Sequence, residues 1–154
     1  MPRASHEFDL VTCARIGANC SLFNLRKASR VVTQLYDESF RDAGIRGTQF
    51  ALLAGIYWSG TATLTDLARL LAMDRTTLTR NLKPLRMNHL VTTAAGRDRR
   101  ARAVTITPRG RRALARALPF WARAQARFVR RLGSHQWKLL MESLAATVRL
   151  GASK

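Results

Sequence analysis

In the stretch DRTTLTRNLKPLRMNHLVTTAAGRDRRARAVTITPRG, residues 74–110, guanidinium, ammonium and hydroxyl groups recur at short intervals. Arg75, Thr76, Thr77, Thr79, Arg80 and Lys83 come first, and Arg97, Arg99, Arg100 and Arg102 follow. The chemistry open to such a set is recognition of a polyanion. A guanidinium offers paired donors to guanine or phosphate, and threonine offers a hydroxyl to phosphate and a methyl to thymine. One carboxylate, Asp98, stands in the second group, placed to orient a neighbouring arginine through a charge-assisted hydrogen bond.

Two elements must position these groups. Thr63 and Asp66 have the spacing of a reciprocal helix start, and the helix continues through Leu67, Ala68, Leu70 and Leu71. Ala72-Met73 makes a short turn, and Asp74 caps a second helix from Arg75 to about Met87. On it Leu78, Leu82 and Leu85 face inward, leaving the cations and threonines outward. Two short helices around a tight turn form a helix-turn-helix, whose second helix enters a major groove with its first turns at base edges. Pro84 should bend this helix or end it early. Next, 90–95 and 102–107 alternate as strands about a turn of Gly96, Arg97, Asp98, Arg99 and Arg100, with Val104 and Ile106 inward. Helix and hairpin are therefore two prongs suited to adjacent grooves, the cationic tip to the narrow minor one.

The rest of the chain agrees. Its 154 residues and 47% hydrophobic content are enough for a globular core, and 27 Lys+Arg against 9 Asp+Glu leave +18, an excess that duplex nucleic acid explains better than a membrane. Residues 19–43 read as a long amphipathic helix ended by Gly44, and 48–58 as an apolar one broken by the SGTA stretch. A helix from Pro108 to about Leu132 carries an apolar stripe of Leu114, Leu118, Trp121, Ala124, Phe128 and Leu132, beside arginines that are either a solvated face or a source of long-range attraction for DNA. After Gly133, Ser134 caps a last helix with Trp137, Leu140, Met141, Leu144 and Val148 on one side. Stripes on two long terminal helices suit a dimer interface.

The stretches TQFALLAGI, LTDLARLLAMDRTTLTRNLKPL and HLVTTAAGRDRRARAVTITPRG resemble the MarR family of winged-helix transcription regulators, with Asp98, Arg100, Thr107 and Gly110 at the family's Asp-x-Arg and Thr-x-x-Gly positions. His89 stands where the family usually has glycine, and histidine is among the residues that tolerate positive φ. The resemblance covers residue 20 to the C-terminus. It implies a mainly α fold with a small β-hairpin wing: a winged helix-turn-helix lobe at about 46–107 and dimerisation helices at about 19–43 and 108–150, which leaves 1–18 to be read by itself as a plain arm. It further implies a homodimeric repressor on a palindromic operator in double-stranded DNA, with Arg100 in the minor groove, released by a small aromatic or anionic effector or by thiol oxidation.

For the sensor, Phe50, Tyr57 and Trp58 are candidate cavity residues, with core packing the competing reading. Cys20 is the candidate redox switch, although a buried structural thiol suits it better; two cysteines are too few to staple the domain. No enzyme is expected. His6, His89 and His135 lack ligand spacing, no phosphate loop or nucleophile elbow is present, and an N-terminal metal set of His6, Asp9, Cys13 and Cys20 is less apt than a plain arm. No cofactor is implied. The N-terminus has no apolar run of signal-peptide length, and 48–65 is too polar for a span, so the expected location is cytoplasmic. The competing function is a nucleoid-type protein that coats nucleic acid without sequence preference.

Overall fold

Leu53, Ile56, Leu67, Leu78, Leu85 and Val104 are the largest side chains withdrawn from solvent, and burying them is what folds the middle of the chain. The computed structural model describes residues 9–95 and 102–152. Its elements run α1 (Leu10–Asn19), α2 (Ser21–Ser39), α3 (Gly47–Ser59), β1 (Ala62–Thr63), α4 (Leu64–Leu70), α5 (Arg75–Met87), β2 (Val91–Ala95), β3 (Arg102–Ile106), α6 (Pro108–Leu132) and α7 (Ser134–Ala152). The chain divides into two units, Met1–Leu35 and Tyr36–Lys154.

In the first unit, the region expected to be a plain arm contains a helix. Asp9 caps α1 by accepting the Thr12 N–H at 2.7 Å. The Asn24 side chain donates to the carbonyls of Gly17 at 3.1 Å and Cys20 at 3.0 Å, securing the joint to α2. Neither α1 nor α2 has a buried residue.

The second unit begins within α2. That helix stops at Ser39, short of the expected Ala43, because the chain tightens to three-residue bonds such as Ala43 N–H to the Phe40 carbonyl at 2.9 Å, which lets Phe40 enter the core. Gly44, at φ +73°, turns the chain after that. Asp37 accepts the Gly47 N–H at 3.0 Å at the start of α3. Phe50 on α3 packs between Phe40, centroids 5.2 Å apart, and Trp121, at 6.3 Å.

The sheet is antiparallel in the order β1-β3-β2, with Ala62 opposite Val104 and Val91 opposite Ile106. Its third strand joins the last residue of the SGTA stretch, read from sequence only as a break, to Thr63, read as a helix start: two residues are too few for an alternation signal, and they are strand because β3 supplies the partner. Val104 and Ile106 are buried, as their alternation predicts.

Thr107 joins the hairpin to α6. Its hydroxyl lies 2.7 Å from the His89 carbonyl and 3.1 Å from that of Leu90, and accepts the Gly110 N–H at 3.0 Å. His89 has φ +56°, the left-handed conformation anticipated for it. A Cβ on Gly110 would lie 2.0 Å from the Leu90 carbonyl oxygen, so α6 starts almost in contact with backbone.

Along α6 the buried face is Gly110, Ala113, Ala117 and Ala124; of the stripe read from sequence, Ala124 is buried and Leu114 and Phe128 are half-buried. Leu118 and Leu132 point outward, and Trp121 stacks on Phe50 while staying partly exposed. Small residues win the inner face because the helix lies close to its neighbours. Helix α7 begins at Ser134 itself, with the Gly133 carbonyl accepting from Trp137 at 2.9 Å, so Ser134 is inside the helix rather than its cap. None of the described side chains of α7 is buried.

Gly110→Ala must push backbone aside. The expected loss is about 1–3 kcal/mol, the usual range for overpacking, read as a lower urea midpoint. An unchanged midpoint would mean that the α6 start yields without strain.

Candidate nucleic-acid interface

Helix α5 is fixed at both ends and along one side. Asp74 accepts the Thr77 N–H at 2.8 Å and the Thr77 hydroxyl at 2.6 Å. These bonds, with the hydroxyl first, hold its carboxyl below the ordinary carboxylate pKa, so the cap is ionised at neutral pH. Before it, Ala72 takes φ +49° and Met73 N–H bonds the Ala68 carbonyl at 2.8 Å, which keeps the turn tight. Leu78, Leu82 and Leu85 anchor the inner side, as their spacing predicts. Pro84 neither ends the helix nor shortens it. Leu85 is fully buried one residue on, and bonds from Asn88 N–H to the Pro84 carbonyl (3.1 Å) and from Leu90 N–H to the Leu85 carbonyl (2.8 Å) carry the turn through to Met87.

The outer side gathers the sequence candidates. Arg75, Thr76, Thr79, Arg80 and Lys83 are all exposed and together line an open concavity of about 820 Å³. Arg86 and Met87 complete it and were missed, although Arg86 follows Lys83 by three residues, the spacing that keeps one helix face. Four cations and no carboxylate stand within α5, so the concavity is built for negative charge. Thr79 donates its hydroxyl to the Arg75 carbonyl at 2.7 Å, leaving its methyl and lone pairs outward. Thr77 differs from its neighbours, since Asp74 engages both its N–H and its hydroxyl.

The wing candidates Arg97, Asp98, Arg99 and Arg100 lie outside the described residues; Arg102 is placed by its backbone, opposite Ala95. The three cavity candidates are not brought together. Phe50 is 8% exposed within the aromatic stack, whereas Tyr57 and Trp58 are 57% and 78% exposed. A different cleft of about 660 Å³ opens between α3 and α5, with Leu52, Leu71 and Met73 in its wall and Arg46 and Arg80 among its cations. Cys20 is half-buried rather than buried, and Cys13 is exposed. Among the described residues no group of three or more His, Cys, Asp or Glu side chains could hold a metal, and no helix is long and apolar enough to cross a membrane.

Residues 45–101 match the family model described as the MarR family. The DNA complex of the M. tuberculosis transcriptional regulator MosR is 34% identical, with a TM-score of 0.79 over 88% of this chain and 98% of that one. The chain belongs to the MarR family. As a MarR-family protein it is a winged helix-turn-helix transcription regulator. A probable transcriptional regulator from Pseudomonas aeruginosa is 25% identical at TM-score 0.75, covering 84% of this chain and 98% of that one. A variant MarR from E. coli complexed with operator DNA shares the fold, at 20% identity and TM-score 0.75 over 90% of this chain and 98% of that one. A comparison with curated protein sequences finds no match.

Because the Asp74 pKa is lowered on folding, its contribution is present above the ordinary carboxylate range and is lost as pH falls through the folded value. Asp74→Ala should speed amide exchange at Thr77 at neutral pH, and the wild type should approach that behaviour only in acid. Equal Thr77 protection in both proteins at pH 7 would remove the cap from the account.

Proposed function

We propose that the chain is a homodimeric repressor that reads a palindromic operator in double-stranded DNA, with α5 in the major groove and the wing in the adjacent minor groove. The observation that carries the DNA contact is the α5 face itself: Arg75, Thr76, Thr79, Arg80 and Lys83 on one exposed side of a helix whose first turn is capped. Arg75 and Arg80 read base edges, Thr76, Thr77 and Thr79 add hydroxyl and methyl contacts, and Lys83 neutralises phosphate. Arg100, oriented by Asp98, enters the minor groove, with Arg97, Arg99 and Arg102 adding charge. Similarity to a relative solved with DNA supports this reading.

The dimer is supported by burial. Leu22, Phe23 and Leu25 on α2, and Leu139, Met141, Leu144 and Val148 on α7, are exposed on a single chain, and each of these helices lacks an inner core of its own. A second copy covers both sets, and it also sets the two-fold symmetry that a palindrome needs. The regulator acts in the cytoplasm. Release comes from a small aromatic or anionic effector, or from oxidation at Cys20. For an anion, the α3/α5 cleft suits better than Phe50, Tyr57 and Trp58, because Arg80 lines both that cleft and the reading face. An effector drawing Arg80 into the cleft takes it from the bases. The net charge of +18 equally suits a nucleoid-type coat, and specificity decides between the two.

Three outcomes are expected. Arg100→Ala weakens operator binding by about 1–3 kcal/mol with the dimer intact; unchanged affinity at physiological salt would take the wing out of the interface. Arg75→Ala or Arg80→Ala relaxes selection at particular base pairs, whereas Lys83→Ala weakens all sequences alike; one motif returned for every variant in a randomised-site selection would contradict the assignment. The wild type holds an inverted repeat upstream of its gene at least ~10³-fold tighter than a scrambled duplex at physiological salt, and near-equal binding of the two would establish the coat instead.

A further inference from the structure

The 25 residues of α6 contain eight arginines and no carboxylate, and no Asp or Glu occurs between Asp98 and Glu142. The arginines are not scattered around the helix. At about 100° per residue, Arg109, Arg112, Arg116, Arg123, Arg127 and Arg130 fall within an arc of roughly 60°. Arg127 reaches Glu38 at 3.1 Å, and Arg123 lies over the Phe120 ring at 4.6 Å. Arg109, Arg112, Arg116 and Arg130 are exposed. Like charges four residues apart, as at Arg112 and Arg116, destabilise a helix left to itself, and an external anion along this face would relieve them.

The geometry suits one long anion. From Arg109 to Arg130 the stripe extends about 32 Å, close to one turn of duplex DNA at ~34 Å. Leu118 and Leu132 lie on the opposite side of α6, so pairing with a second copy through them would leave the arginines facing solvent. The face is carried on another helix than the reading surface: α6 starts where Gly110 abuts Leu90, just past Arg86 and Met87, and Arg75 and Thr76 are about 18 Å away along α5.

We propose that the arginine face of α6 is a second DNA surface, which holds the phosphate backbone of a non-operator duplex while α5 engages the operator. The inference rests on the DNA-binding reading and extends it from one duplex to two. Long side chains at regular spacing, without groove-entering geometry, confer no base preference, so the second duplex is taken whatever its sequence.

The test immobilises the operator duplex, saturates it with protein, washes, and offers a labelled random-sequence duplex at physiological salt. Wild type should retain the second duplex. The combined variant Arg112→Gln, Arg116→Gln, Arg130→Gln should bind the operator within about twofold of wild type, yet retain the second duplex at least about fivefold less, since three phosphate contacts are removed. Lysine at the same three positions keeps the charge and should restore retention. Failure of wild type to retain a second duplex, or equal retention by the glutamine variant, overturns the proposal. So does a wild type that takes up polyglutamate through these arginines but no duplex, since the face would then serve an acidic protein. If the immobilised operator captures no protein at all, it is the operator reading that fails, and that is read in the first step alone.

Discussion

The hydroxyl of Thr107 is the bond on which the geometry of the winged lobe turns. It ties the carbonyls at the end of α5 and the start of β2 to the first turn of α6, within a span where four elements change direction. His89 must take a positive φ to present its carbonyl there, and Gly110 must lack a side chain to let α6 approach Leu90. None of the three residues touches the outer face of α5. They instead fix the angle at which α5 leaves the lobe relative to α6, and so the pose in which its arginines are offered.

The carboxylates explain why so much positive charge is left over. Asp9, Asp66 and Asp74 sit at helix starts, Asp37 receives the Gly47 N–H, and Glu38 holds Arg127. In each case a local bond uses the negative charge within a turn or across one helix pair. Helices α5 and α6 keep no acid of their own, and their cations remain for something outside the chain.

Where sequence and structure agree, the signal was local. Asp74 before a helix, leucines at three and four residues, and histidine at a left-handed position each depend on near neighbours, and each is legible from them. At Thr63 the agreement is half complete: its hydroxyl accepts the Asp66 N–H, but the Asp66 side chain accepts from that hydroxyl and not from backbone. What could not be read depends on distant partners. Strand β1 exists through β3, α5 survives Pro84 through the burial of Leu85, and the inner face of α6 is set by how near it lies to the hairpin base. The α5 site was legible as far as Lys83; Arg86 and Met87 stood past the proline, where a broken helix would have turned them away. Helix α1 had a local signal in Asp9 and Thr12, but its outward side chains bury nothing that marks a core.

Helices α1, α2 and α7 bear on how the protein responds to its own abundance. Helix α1, of 10 residues with no buried side chain, has little to hold it in water, since an isolated helix of such length is marginal, and neither α2 nor α7 buries a described side chain. The core runs from Phe40 to Ala117, so the part of the chain that carries it and the helices that bury nothing do not share one stability. In the proposed dimer, association would behave as ligand binding does, with the chain as its own ligand, and the terminal helices would gain order as protomer concentration rises. On that proposal copy number becomes an input to the regulator: dilution through growth and division would loosen the ends of the molecule before it disturbed the reading head.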